Sequence, residues 1–216
     1  MRNVWFVSPH LASLEALDLL GIFVFALSGG LAGVRAHLDI FGLVVMATIT
    51  SIGGGLIRDV LLGDTPPAAL RHWPYLAVPA IAGVIVFYRH PQIAKVRRPM
   101  LVLDAAGLAL FTVAATRQAL VSGLNPAGSC MVGVIAGIGG GVLRDVLLRE
   151  IPVVLRSEIY AVAAAAGAVI VAIGYSIDRL NPFWMTGSAL VIFGLRIVSL
   201  RRRWTAPRAS DTPPVQ

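Results

Sequence analysis

Six ionisable side chains lie inside strongly apolar stretches of this chain: Asp18, Arg58, Asp59, Asp104, Arg144 and Asp145. A charge at bilayer depth costs roughly 2.5–3.5 kcal/mol on insertion scales, so such groups persist where they pair or serve transport. Asp18 with Arg58, and Asp104 with Arg144, are expected to form carboxylate–guanidinium contacts of about 2.7–3.2 Å. Asp59 and Asp145 follow the arginines by one residue, about 100° around a helix, and are free to face elsewhere. Thr48, Thr50 and Ser51 place hydroxyls just before Gly53, Gly54 and Gly55, whereas Val134, Ala136 and Gly137 hold the matching places before Gly139, Gly140 and Gly141. Such hydroxyls either face a polar path or bond back to their own helix carbonyls. The chemistry on offer is coordination and passage of a small solute rather than bond making. No residue pair reads as nucleophile and base, and the four histidines are scattered near the ends of apolar segments. The stretch 137–142 lacks the last glycine of a dinucleotide fingerprint, and no Lys-Ser/Thr follows either glycine triplet. The single Cys130 excludes a disulfide framework and a cysteine metal cluster. No enzyme activity, cofactor or metal is expected.

The elements that would position these residues occur twice. Gly53-Gly54-Gly55-Leu56-Ile57-Arg58-Asp59-Val60-Leu61-Leu62 recurs 86 positions later as Gly139-Gly140-Gly141-Val142-Leu143-Arg144-Asp145-Val146-Leu147-Leu148. The same offset links Leu17-Asp18 to Leu103-Asp104, Gly21 to Gly107 and Gly42 to Gly128. An offset of 85 links Pro67 to Pro152, Leu70-Arg71 to Leu155-Arg156 and Tyr75 to Tyr160. A duplicated unit carrying glycine triplets in apolar segments points to a membrane transport protein. In an isolated helix each glycine costs about 1 kcal/mol relative to alanine. Paired triplets therefore favour interrupted helices whose freed carbonyls face a polar path, since unpaired backbone cannot face lipid. The competing reading is close helix packing, to which Gly29/Gly33 and Gly133/Gly137 are also suited.

Composition agrees with a lipid environment. Hydrophobic residues make up 57% of the 216-residue chain and charged residues 13%, against roughly 45–50% and about 25% in soluble domains. The net charge of +7 is carried by short loops and the C-terminal end rather than by a basic helix face, which argues against nucleic acid. A bilayer core of ~30 Å needs roughly 20 apolar residues per helix, and seven spans meet that measure: 14–34, 40–62, 72–88, 100–121, 126–148, 157–175 and 182–200. Arg89, Lys95, Arg97 and Arg98 between the third and fourth spans, and Arg201, Arg202 and Arg203 after the seventh, place these regions in the cytoplasm and the N-terminus outside. The expected fold is an all-α membrane protein of two inverted three-helix repeats plus one C-terminal helix. Its parts are an extracytoplasmic segment 1–13, repeats 14–88 and 100–175 joined by a basic cytoplasmic loop 89–99, a seventh helix 182–200 and a cytoplasmic tail 201–216. An odd number of helices per repeat inverts the second copy, and a site at the midplane between equivalent helices is the usual consequence.

Two GGGxxRD segments in a seven-helix, 3+3+1 chain resemble the prokaryotic branch of the trimeric intracellular cation (TRIC) channels, a domain also labelled a glycine transporter. The resemblance covers about residues 14–200. It implies a homotrimer in the bacterial plasma membrane, each subunit with a pore lined by its second and fifth spans and passing monovalent cations, chiefly K⁺. The kinks would be Gly53–Gly55 and Gly139–Gly141, with Arg58, Asp59, Arg144 and Asp145 at the mouths. The Lys-Glu-Val signature of the animal members is absent, and with it the basis for carrying over phosphoinositide regulation. The residues alone leave the ion's sign open, because a broken helix presents carbonyls to cations on one half and N–H groups to anions on the other. The rival expectation is a small-solute transporter with a midplane site on the same inverted repeat. A third is a scaffold in which the glycines only pack.

Overall fold

The structure, a computed structural model, describes residues 9–89, 97–156, 159–202 and 204, with side chains from residue 18 in the first segment and residue 99 in the second. Lys95, Arg203, residues 1–8, the start of the sixth span at 157–158 and the tail from 205 lie outside the described residues. The described residues fold into helices α1 (Pro9–Arg35), α2 (Ile40–Leu62), α3 (Ala68–Arg71), α4 (Pro74–Arg89), α5 (Arg97–Val121), α6 (Pro126–Leu147), α7 (Val153–Arg156), α8 (Ile159–Ser176) and α9 (Pro182–Arg202). Six are long and apolar enough to cross a bilayer, and α4 is a shorter apolar helix. At 16 residues α4 reaches only about 24 Å at 1.5 Å per residue. The sequence expectation began this span at residue 72. Instead the one-turn helix α3 precedes it, and α7 precedes α8 in the same way.

The repeat is visible in local structure. Asp39 accepts a hydrogen bond from the Gly42 amide at 2.7 Å to start α2, and Asn125, 86 positions on, accepts one from Gly128 at 2.8 Å to start α6, each satisfying an otherwise orphaned donor. The left-handed turns recur with the residues exchanged. His37 (φ 57°) matches Gly123 (φ 88°), and Gly63 (φ 71°) matches Arg149 (φ 56°). The duplication has kept the backbone where it has not kept the side chain.

The two units pack through α1 against α5 and α2 against α6, while α4 lies on α1 and α2 and α8 lies on α5 and α6. Glycines set both crossings. A Cβ on Gly54 would strike the Ala136 carbonyl oxygen, and one on Gly140 would strike that of Thr50. Gly53 meets Leu143 and Gly139 meets Ile57; Gly21 meets Phe111 and Gly107 meets Phe25, with the two phenylalanine rings 5.4 Å apart. Every one of these contacts has its mate at the repeat offset, so a two-fold axis runs between the units. Along α1 the α5 partner's number falls as the residue number rises, from Gly21 with Phe111 through Phe25 with Gly107 to Ser28 with Met100, so these equivalent helices run antiparallel. The repeats are inverted.

The expected interruptions at the triplets are not found, because α2 and α6 are continuous through them. Without Cβ atoms the two backbones approach with their own helical hydrogen bonds intact, and no carbonyl needs freeing. Packing is what the triplets do in this conformation.

The last long helix, α9, has no mate among the described residues. Its stripe Met185, Ser188, Ile192, Arg196 and Ser199 is buried against α8 and α5. Ile192 sits over Gly167, Trp184 sits over Gly174, and the Trp184 Nε1 donates to the Ile170 carbonyl at 2.7 Å. Gly167→Leu is therefore expected to lift α9 from α8, read as a lower melting temperature of the detergent-solubilised protein, whereas Gly187→Leu, at a position with open space, should leave it unchanged.

Candidate functional site

Each repeat gathers one aspartate, one arginine, a second aspartate and one tyrosine at one end of its middle helix. In the second repeat Arg144 on α6 is the hub. Its Nη1 donates to Asp104 Oδ1 on α5 at 2.7 Å and to Ser28 Oγ on α1 at 2.9 Å, and its Nε donates to Asp145 Oδ1 at 2.8 Å. Asp145 Oδ2 accepts the Val153 amide at 2.9 Å, which ties α7 to the cluster. Ser28 in turn donates to the Met100 carbonyl at 3.2 Å. Tyr160 on α8 is buried, and the Arg196 guanidinium carbon of α9 lies 4.5 Å from its ring centroid, within reach of a cation–π attraction.

The first repeat repeats this plan more loosely. Arg58 Nε donates to Asp59 Oδ1 at 2.8 Å, and Asp59 Oδ2 accepts the Ala68 amide at 2.9 Å, tying down α3. Arg58 Nη1 reaches Asp18 Oδ2 at 3.4 Å, beyond the expected range, whereas Arg144 and Asp104 fall inside it. The hydroxyl of Ser28 has no counterpart here, because the matching residue is Ala114. The Asp18 side chain retains 16% of its exposure and Asp104 none. Asp18, Arg58, Asp59, Ser51 and Tyr75 line a recess of about 10 Å³, room for about one water molecule, while the equivalent space around Arg144, Asp145 and Tyr160 has none.

One sequence expectation changes in detail, and one open choice is narrowed. Asp59 and Asp145 do not face elsewhere: each turns back on the arginine beside it, because the long guanidinium side chain leaves its Nε edge open to a neighbouring carboxylate. Two of the hydroxyls before the first triplet bond back to their own helix, one of the two readings the sequence left open. Thr48 donates to the Val44 carbonyl at 2.8 Å, Ser51 donates to the Thr48 carbonyl at 3.0 Å, and Thr50 is buried against Gly29. Among the described residues no cluster of His, Cys, Asp and Glu could hold a metal ion.

Sequence reasoning missed Ser28, Arg196, Thr112 and Thr116, all fully buried. A lone arginine within the last apolar span was the available signal for Arg196. Ser28, Thr112 and Thr116 gave none, since small hydroxyl residues are ordinary in membrane helices. Tyr75 and Tyr160 were legible as repeat mates but carried no role until the fold brought them to the carboxylates.

A multi-pass helical membrane protein of inverted three-helix repeats, with charge clusters at opposite ends of a glycine-packed crossing, has the architecture common among membrane transport proteins. The family described as glycine transporter matches twice, over residues 15–91 and 101–176. A UPF0126 membrane protein of Deinococcus radiodurans is 41% identical over 194 residues, covering 88% of this chain and 89% of that protein. The UPF0126 inner membrane protein YadS of Escherichia coli is 40% identical over 162 residues, covering 74% and 77%. Among solved structures, the TRIC trimeric intracellular cation channel orthologue from Rhodobacter sphaeroides superposes with a TM-score of 0.86 at 32% identity, covering 89% of this chain and all of that one. A prokaryotic TRIC channel in 0.5 M KCl gives 0.83 at 38% identity, covering 89% and 98%. The chain belongs to the prokaryotic TRIC channel family, whose repeat unit bears the glycine transporter description.

Proposed function

We propose that this protein is a homotrimeric, K⁺-conducting channel of the bacterial inner membrane, with one pathway per subunit between α2 and α6. The observation that carries the reading is the antiparallel crossing of the two triplets at the centre of a fold that superposes on TRIC channels with TM-scores up to 0.86. The crossing is closed in this conformation, so conduction requires α2 and α6 to part along their glycine faces. The charge clusters support a cation: each arginine is matched by two carboxylates, so neither mouth presents a bare positive charge. Basic residues Arg89, Arg201 and Arg202 lie at helix ends, which supports a cytoplasmic C-terminus and an outside N-terminus. Asp18 and Arg58 then stand near the outer mouth, and Asp104 and Arg144 near the inner one. The charged segments 89–99 and 201–216 are the cytoplasmic parts of this arrangement.

Purified full-length protein in planar bilayers with KCl on both sides is expected to give unitary currents that reverse near the K⁺ potential under a gradient. Flux of radiolabelled glycine without unitary current would instead establish the transporter that the family's description suggests. Neither current nor flux would leave a packing scaffold.

A further inference from the structure

Two fully buried threonine hydroxyls, Thr50 on α2 and Thr112 on α5, have no hydrogen-bond partner among the described residues. A hydroxyl inside a membrane helix ordinarily bonds back to a carbonyl of the preceding turn. Thr116, one turn along α5, does so, donating to the Thr112 carbonyl at 2.7 Å, and Thr48 does the same on α2. A buried hydroxyl left unbonded costs stability, so Thr112 calls for a reason. Helix packing does not supply it, because the residue 86 positions earlier, in the other copy of the same helix, is Ala26. What stands opposite is more telling. The Thr112 hydroxyl lies against Gly137 of α6, where a Cβ would collide with it, and about one turn along α6 Gly140 lies against the Thr50 carbonyl. The same stretch of α6 therefore meets oxygen on its α5 side and on its α2 side. In that stretch, Gly137-Ile138-Gly139-Gly140-Gly141, the one side chain is Ile138, which packs with the apolar cluster shared by α5, α8 and α9.

We propose that Thr112 is a ligand of the permeating alkali cation, uncovered when α6 draws away from α5 and α2. A gap opened at this stretch is walled by the Thr112 hydroxyl and the Thr50 carbonyl, and α6 has only backbone to present to it. Oxygens of this kind replace the hydration water of a cation, as carbonyls do in selectivity filters. In the closed conformation the hydroxyl stands unbonded against glycine, and in the open one it has a partner. The inference rests on the channel reading and adds to it a residue outside α2 and α6 that sets which ion passes.

Full-length Thr112→Val and Thr112→Ser, compared with wild type in planar bilayers with K⁺ on one side and Na⁺ on the other, and by thermal melting in detergent, test it. Valine keeps the branched shape and removes the hydroxyl, whereas serine keeps the hydroxyl. The unitary K⁺ conductance of Thr112→Val is expected to fall about tenfold, the scale of one polar contact to a charge, with a shifted reversal potential, and Thr112→Ser should retain both near wild type. The melting temperature of Thr112→Val should equal or exceed that of wild type, because the hydroxyl it removes bonds nothing in the closed form. Wild-type conductance and reversal potential in Thr112→Val, or an equal loss in Thr112→Ser, overturns the proposal and leaves the channel standing. A lower melting temperature or a failure to fold in Thr112→Val overturns it as well, by showing that the hydroxyl is already bonded in the closed form. Wild type that passes no unitary current removes the channel reading and this ligand with it.

Discussion

Leucine at position 54 or 140 should abolish recovery of folded protein. Each side chain would have to occupy the place of an opposing backbone carbonyl, Ala136 for Gly54 and Thr50 for Gly140. A backbone oxygen in the middle of a helix cannot swing aside as a side chain can. Overpacking a core costs about 1–3 kcal/mol where neighbours can adjust and more where they cannot. Alanine at either position should already lower the melting temperature, and leucine should part α2 from α6, the contact that joins the two repeats. Gly55 is the control, because a Cβ there meets nothing nearer than Phe111 Cε1 at 3.9 Å, so Gly55→Ala should be tolerated. Thermal challenge followed by size-exclusion chromatography of the solubilised protein makes the comparison. Gly54→Ala as stable as Gly55→Ala would show that the two triplets do not meet. Because the fold depends on this contact, a leucine at position 54 cannot report on conduction alone, and pore tests belong at position 55.

The second large effect is expected at the buried hub. Asp104→Asn strands Arg144, whose side chain is 1% exposed, with Asp145 as its one remaining carboxylate. Removing one partner of a buried pair costs about 3–5 kcal/mol, chiefly because the other charge is left behind. The double change Asp104→Asn with Arg144→Gln should be milder than Asp104→Asn alone, and a double-mutant cycle on melting free energies would measure the coupling. The repeat mate should respond less. Asp18 is partly exposed and sits 3.4 Å from Arg58, so water compensates much of what Asp18→Asn removes, and its cost should be under half that of Asp104→Asn. Equal losses at the two aspartates would contradict the asymmetry between the repeats.

Much of this molecule was legible before any coordinate. Seven apolar segments with three per repeat can satisfy their backbone in lipid only as helices, and an odd count can insert the second copy only upside down. The recurrence of Asp18 with Arg58 and of Asp104 with Arg144 named the ion pairs, since a charge at that depth requires a partner and the repeat supplied the same one twice. Local pattern was not enough for the rest. Whether a glycine triplet breaks a helix or lets two helices touch depends on what stands opposite, and the carbonyls of Ala136 and Thr50 belong to the other repeat. Asp59 and Asp145 chose their own arginines and the α3 and α7 amides only once the chain had turned back over them. Ser28 reaches Arg144 from 116 positions away, a distance no periodicity encodes. The sequence alone determined the class, the repeat and the pairing, because solvent and charge act on every segment separately. Tertiary structure alone decided which repeat is sealed, because that depends on α9 bringing Arg196 over Tyr160 on one side of a two-fold axis, and on no helix among the described residues doing so on the other.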